Sequence, residues 1–168
     1  KEDTLLLESD IIFEDSVLNS LTDDPRDSLA LAAKYESWMD GTCLVLSDQD
    51  DIEAMIPGKK FRFSDTEHYY KTVNLYKFSR EFSRTHYVPF LEAYTKALGN
   101  NEYYEQVLKV LVTLDDPGIK AKRLDENQRW YEIDDIQDLN IAESIFAPEK
   151  ERTHLIQKRF GGYWRYPK

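Results

Sequence analysis

Cysteine is almost absent from this chain: its 168 residues include one, Cys43. An internal disulfide and a cysteine-built zinc site are therefore excluded. Cys43 lies in the apolar run Thr42-Cys43-Leu44-Val45-Leu46, where core packing rather than nucleophilic catalysis is its expected role. Long apolar stretches are lacking too. None approaches the ~20 residues a membrane span needs, and no signal-peptide pattern is visible, so the cytoplasm is the expected location. Positive charge is in deficit: 22 Lys and Arg stand against 32 Asp and Glu, a formal net charge of -10. That balance argues against nucleic acid as a direct partner, because phosphate backbones demand a basic footprint. It argues equally against an anionic membrane surface. A small phosphorylated ligand remains compatible, since it needs only a few local donors and a metal.

What is present suffices for one domain. Hydrophobic residues make up 41% and aromatics 13%, with 11 Tyr and 3 Trp, enough to fold around a core. Leu5-Leu6-Leu7 and Ile11-Ile12-Phe13 are continuous apolar runs of the kind buried on both faces of a sheet, with Glu8-Ser9-Asp10 as a polar break between them. Glu14 to Leu21 reads as a helix. Strands are expected over Leu29 to Lys34, Thr42 to Leu46, Ile52 to Ile56 and Lys71 to Phe78. Ser79 can cap a following helix with Phe82 on its inner face. Further helices are expected over Tyr87 to Leu98, ended by Gly99, and over Glu102 to Val112, with Tyr103, Val107, Val110 and Leu111 on one face. Ile119 to Leu124 and Trp130 to Ile133 read as strands around the turn Asp125-Glu126-Asn127, and Ile136 to Phe146 as an amphipathic helix. The alternation predicts an α/β architecture, a layered mixed sheet with helices on both faces. The chain opens on Lys1 and enters a strand almost at once, so it is expected to be a fragment of a longer polypeptide.

Two acidic positions stand out. Asp10 interrupts an apolar run, where a carboxylate without partners would be costly, so a functional or hydrogen-bonded role is expected. Asp134 and Asp135 end a strand just before a helix. Ligands in open α/β sheets bind beyond strand ends, and two carboxylates brought together there can hold a hard divalent cation such as Mg2+. The competing role is helix capping, which is the expectation for Asp135, while the residues leave Asp134 open between the two. Lys71, by composition, is an exposed strand lysine.

The run Trp130-Tyr131-Glu132-Ile133-Asp134-Asp135-Ile136-Gln137-Asp138-Leu139, with Ile141-Ala142-Glu143, resembles the closing motif of choline-phosphate-type cytidylyltransferases and related sugar-phosphate nucleotidyltransferases. Leu6-Leu7-Glu8-Ser9-Asp10-Ile11-Ile12-Phe13 resembles that family's strand with an acidic metal ligand, usually written with Gly before Asp. Asp40-Gly41-Thr42, the stretch from Tyr70 to Tyr76, and Tyr103-Tyr104-Glu105 follow in the family's order. The resemblance spans about residues 3 to 147 and implies a nucleotide-diphospho-sugar transferase-like fold, here N-terminally truncated. It implies Asp10 and Asp134 as catalytic Mg2+ ligands, and Lys71 in an acceptor pocket facing a phosphate or phosphonate. The implied reaction is attack of that group on the α-phosphorus of CTP or another nucleoside triphosphate, with release of pyrophosphate. Trp130, Tyr131, Tyr103 and Tyr104 are candidates to bind a quaternary ammonium through their ring faces, with core packing expected for at least two of them. Glu105 and Glu132 suit an amino group instead, as in an aminoethylphosphonate acceptor.

One departure is important. The family's Gly-rich, Arg-containing nucleotide loop does not occur here, so the chain as given is expected neither to hold CTP well nor to turn over. The tail from Lys158 to Pro167 resembles the junction to a fold-type I pyridoxal-phosphate aminotransferase, which makes 1-147 the metal- and acceptor-binding part and 148-168 a linker toward that enzyme. Two other functions remain open: a glycosyltransferase-like domain using a sugar nucleotide, and a non-catalytic docking module for a fused aminotransferase.

Overall fold

The computed structural model describes residues 2-148; the expected aminotransferase junction, Lys158 to Pro167, lies outside the described residues. The spine of the fold is β6 (Tyr69–Phe78), whose residues alternate between two apolar cores. On one edge it pairs antiparallel with β3 (Leu29–Lys34), which in turn pairs in parallel with β7 (Lys120–Arg123). The other edge is shared. β4 (Cys43–Leu46) pairs with β6 over Tyr69 to Lys71 and carries β5 (Ile52–Ile56) outside it. β1 (Thr4–Leu7) pairs with β6 over Leu75 to Phe78. Between these two partners, Thr72 to Asn74 face a break in the sheet, crossed by single hydrogen bonds from Thr72 N to Thr42 O and from Glu8 N to Asn74 O, both 3.2 Å. Opposite the break, the β3–β6 register slips between Ala30 and Ala32, and Asn74 takes a left-handed backbone with φ 59°. Such bulges recur next to functional sites.

Helices cover both faces of this mixed sheet, as the sequence predicts. Val17 and Leu21 of α1 (Asp15–Thr22) pack on Leu29, Leu31, Val73 and Leu75. On the opposite face, α2 (Arg80–Phe82), α3 (Val88–Leu98) and α4 (Glu105–Leu111) cover Ala30, Ala32, Tyr76 and Phe78. Ser79 caps α2 as expected, its Oγ accepting from Phe82 N at 3.1 Å. Among the described residues, no helix is long and apolar enough to cross a membrane.

Four expectations need correction. β1 is not buried on both faces: Leu5 and Leu7 are each 40% exposed. Asp10 does not interrupt a strand, since the chain turns there and β2 (Ile11–Phe13) leaves the main sheet. β7 and β8 (Trp130–Glu132) do not pair across their turn; β8 joins β2 in a separate antiparallel ribbon, Ile11 opposite Glu132. The buried residues of α4 are Val107, Leu108 and Leu111, while Tyr103 and Val110 are exposed. α4 begins at Glu105, and its dense run of apolar residues accommodates more than one helical phase. The last of these is readily tested: Leu111→Ala is expected to lower the unfolding free energy by about 2–5 kcal/mol, and Val110→Ala by less than about 1 kcal/mol, in urea titrations with unchanged slopes. Equal losses would place Val110 in the core.

Candidate functional site

The break in the sheet gathers polar side chains from five directions. Lys71 comes from β6 beside β4, and its side chain is 2% exposed. A charge so buried needs a counter-ion, and Glu132 at the end of β8 supplies it, Nζ to Oε2 at 3.1 Å. Lys71 also donates to Thr72 O at 3.0 Å. Its composition-based role as an exposed strand lysine is thereby overturned. Gly41 lies beside it, in the left-handed backbone region at φ 85° that favours glycine. Gly41 also lines a cavity of about 330 Å³, together with Tyr35, Met39, Asp40, Cys43 and Phe61.

Glu132 accepts a second hydrogen bond, from Asn74 Nδ2 at 3.2 Å. Glu8, just past β1, accepts from Tyr104 Oη at 2.7 Å. Glu105, the first residue of α4, accepts from Thr42 Oγ1 at 3.0 Å and from Tyr76 Oη at 3.5 Å. The Tyr76 and Tyr104 rings meet edge to face, their centroids 6.0 Å apart. Burial raises the Glu8 carboxyl above the usual glutamate range; the Tyr104 hydrogen bond and Lys71 oppose this, and the charges of Asp10 and Glu105 add to it. Burial likewise raises Glu132, against Lys71 and reinforced by Asp134 and Glu8. Burial also raises the Tyr76 and Tyr104 hydroxyls well above the ordinary tyrosine value. The cluster is therefore rich in acceptors and short of positive charge.

Asp10 and Asp134 stand at its exposed side. Ile133 N donates to Asp10 O at 2.8 Å, which fixes the two aspartates on neighbouring stretches of backbone. Asp135 does what a cap does: its Oδ1 accepts from Gln137 N at 2.6 Å and Asp138 N at 3.1 Å at the start of α5 (Ile136–Phe146). Asp138 returns the favour to the N–H groups of Asp134 and Asp135, each at 3.2 Å, completing a capping box. Among the described residues, no group of three or more His, Cys, Asp or Glu is arranged to hold a metal. Two carboxylates remain a chemically suitable donor set for Mg2+, which takes one or two protein carboxylates and fills its shell with water and substrate phosphate.

The aromatic candidates separate. Trp130 is buried in the α1-side core beside Trp38, and Tyr131 stacks on Trp38 with centroids 4.7 Å apart, its hydroxyl 3.4 Å from Asp138. Tyr103 is exposed, and Tyr104 is held within the cluster. Cys43 is buried and its thiol is pushed up to about 11 by that burial, so it is no nucleophile near neutrality. Glu8, Thr42, Asn74 and Tyr76 belong to the cluster although the sequence motifs that contain them gave them no site role. Glu8 had a visible signal, as the first polar residue after an apolar run. Asn74 had none, because alternation along β6 hides its left-handed backbone.

No family model matches the sequence. The chain is 29% identical over 167 residues to a CMP-5'-(3-aminopropyl)phosphonate synthase from Streptomyces rubellomurinus, an alignment covering 98% of this chain and 26% of that protein. Among solved structures it is similar to a CTP:phosphocholine cytidylyltransferase from Streptococcus pneumoniae (TM-score 0.64, 19% identity, 84% of this chain and 56% of that one). It is also similar to an inositol-1-phosphate CTP transferase from T. maritima (TM-score 0.52, 21% identity, 98% of this chain and 59% of that one). The fold is nucleotidyltransferase-like. The chain spans about a quarter of the curated relative and somewhat over half of each solved structure.

Two measurements test the electrostatics. Lys71→Met leaves Glu132 without its partner and is expected to cost about 3–5 kcal/mol in urea unfolding, much of it recovered by adding Glu132→Gln; a loss below 1 kcal/mol, on the order of a surface pair, would show that the pair is not effectively buried. Because the folded chain holds the Glu8 proton more tightly than the unfolded chain does, ionisation of Glu8 subtracts from stability as pH rises from the ordinary glutamate range through the raised value. Glu8→Gln is therefore expected to raise Tm relative to the unaltered chain at pH 8 and to lose that advantage at pH 4. The same Tm difference at both pH values would contradict the assignment.

Proposed function

We propose that this chain is the metal- and acceptor-binding part of a CTP-dependent nucleotidyltransferase that acts on a small amino-bearing phosphate or phosphonate. The observation that carries the reading is the pairing of Asp10 with the Ile133–Asp134 backbone at the exposed side of the Lys71–Glu132 cluster. The name of the Streptomyces relative, which joins a cytidylyl unit to an aminoalkyl phosphonate, supports the choice of nucleotide and acceptor.

In the reaction, an acceptor oxygen forms a bond to the α-phosphorus of CTP while the bond to pyrophosphate breaks. Asp10 and Asp134 would hold Mg2+, which when bound neutralises phosphate oxygens. Such chemistry needs positioning and charge neutralisation rather than a side-chain nucleophile. Lys71 has three ammonium hydrogens; Glu132 and Thr72 O engage two of them, leaving one for an acceptor oxygen. Glu105 and Glu132 offer carboxylates to an amino group. Trp130 and Tyr131 act here by fixing β8, and so Glu132, against Trp38. The reading of 148-168 as a linker toward a pyridoxal-phosphate aminotransferase belongs to the same proposal and rests on the sequence resemblance.

The test is CTP turnover by the full-length polypeptide carrying this chain, followed as pyrophosphate release with an aminoalkyl phosphonate. Asp10→Asn and Asp134→Asn are each expected to lower kcat/KM by at least about 100-fold, on the order of the loss of one positioned charge interaction. Asp135→Ala is expected to cost about 1 kcal/mol of stability and to leave turnover in place. Unchanged turnover in both Asn variants would remove the metal assignment. Transfer from a sugar nucleotide, with no pyrophosphate released from CTP, would favour the glycosyltransferase reading.

A further inference from the structure

One loop touches both strands that meet in the Lys71–Glu132 pair. Residues 35-42 join β3 to β4. At the far end of the loop, Thr42 Oγ1 donates to Glu105 at 3.0 Å. Thr42 O accepts from Thr72 N and from Thr72 Oγ1, both at 3.2 Å, on the strand that carries Lys71. In its middle the loop reaches the other way. The Trp38 ring stacks on Tyr131 of β8, with centroids 4.7 Å apart and planes 12° apart, and tilts against Trp130 at 5.6 Å. The next residue of β8 is Glu132, the counter-ion of Lys71.

Trp38 is an unusual residue for a core to spare, since its ring is 41% exposed. The loop is shaped to present it. Met39 N donates to Glu36 O at 3.0 Å, closing a turn, and the Trp38 indole N–H donates to the Glu36 carboxylate at 3.1 Å. The loop also stands between two cavities. Met39, Asp40 and Gly41 line the one of about 330 Å³, and Trp38 and Met39 line another of about 520 Å³ together with Ala33, Leu124 and Trp130. A segment with open space on either side is thinly supported, and such segments open at low cost. Met39 in the α1-side core and the Tyr35 ring against Phe61 anchor its first part. The Trp38 stack is what ties it to β8, and an aromatic pair of this kind shifts a local equilibrium by about 3–10-fold.

We propose that Trp38 is a positioning residue, a latch that clamps the β3–β4 loop to β8 and so fixes Glu132 against Lys71. It acts through Tyr131 on Glu132 and through the loop on Thr42, and it contacts neither Lys71 nor Glu105 itself. With the latch closed, the backbone bond from Thr72 to Thr42 and the salt bridge from Lys71 to Glu132 are held in one geometry. With it open, the loop has a cavity on each side to move into, and Thr42 and Glu132 lose their fixed places together. The effect on an acceptor phosphate rests on the proposed transfer reaction; the latch does not.

Amide hydrogen exchange tests the latch without any ligand. Trp38→Ala is expected to quicken exchange about 3–10-fold at Thr72, bonded to Thr42 O, and at Ile133, which follows Glu132. Ala121 N, bonded to Asp50 O at the other end of the sheet, is expected to keep its rate. Trp38→Phe keeps a ring to stack and is expected to stay within about 2-fold of the unaltered chain at all three amides. Unchanged exchange at Thr72 and Ile133, or equal acceleration at Ala121, overturns the latch. In the full-length polypeptide, Trp38→Ala is expected to raise KM for an aminoalkyl phosphonate about 10-fold with kcat within about 3-fold, and Trp38→Phe to restore it. An unchanged KM beside quickened exchange overturns the positioning role. Quickened exchange at Thr72 and Ile133 alone, in a polypeptide that transfers CMP to no acceptor, upholds the latch and overturns the transfer reaction.

Discussion

A lysine ammonium buried in a sheet has to be answered by a carboxylate, and much of this structure follows from the answer that Lys71 receives. Glu132 reaches it only because β8 abandons the main sheet and pairs with β2. β2 in turn is free to do so because the chain turns at Ser9-Asp10 instead of continuing β1. The same turn carries Asp10 to the backbone of Ile133. One ion pair thus links the departure of a strand, the position of an exposed aspartate and the orientation of the Asn74 amide. The pair is not a simple gain in stability, since desolvating both partners offsets much of their attraction. Its value is that it fixes where the surrounding acceptors sit.

The break in the edge of β6 is the second constraint. A strand flanked continuously by neighbours offers its backbone groups to them and its side chains to the two faces. Where β4 stops at Cys43 and β1 stops at Leu7, residues 72-74 are released from that rule. Polar side chains from a loop, a helix and a second ribbon enter the space. This is the local equivalent of the crevice at which open α/β sheets bind ligands.

Sequence patterning carried the fold a long way. β3 and β5 fall where their apolar runs end, Ser79 and Asp135 cap as their residue types suggest, and helices lie on both faces of a mixed sheet. The errors share a cause. Period and propensity report whether a segment suits a strand, and not which strand it will pair with, so β7 and β8 looked like neighbours and β1 and β2 like one interrupted run. The site was legible in part. Lys71, Tyr104, Glu105 and Glu132 converge as named residues, whereas Asn74 and Glu8 are placed by a bulge and a strand break that depend on long-range register. The buried state of Lys71 also depends on a partner 61 positions away along the chain, from 71 to 132, which no local window contains.

The capping box at the start of α5 has an entropic consequence. Asp138 takes the N–H of Asp134 as well as that of Asp135, so the backbone carrying Asp134 is already ordered before any ligand arrives. What remains to be ordered is one short, exposed side chain. Under the proposed metal assignment, capturing a cation there would freeze little that was not frozen by folding. On that assignment, the helix cap would work as preorganisation for its neighbour, moving an ordering cost from the binding event to the folding of the strand-to-helix joint.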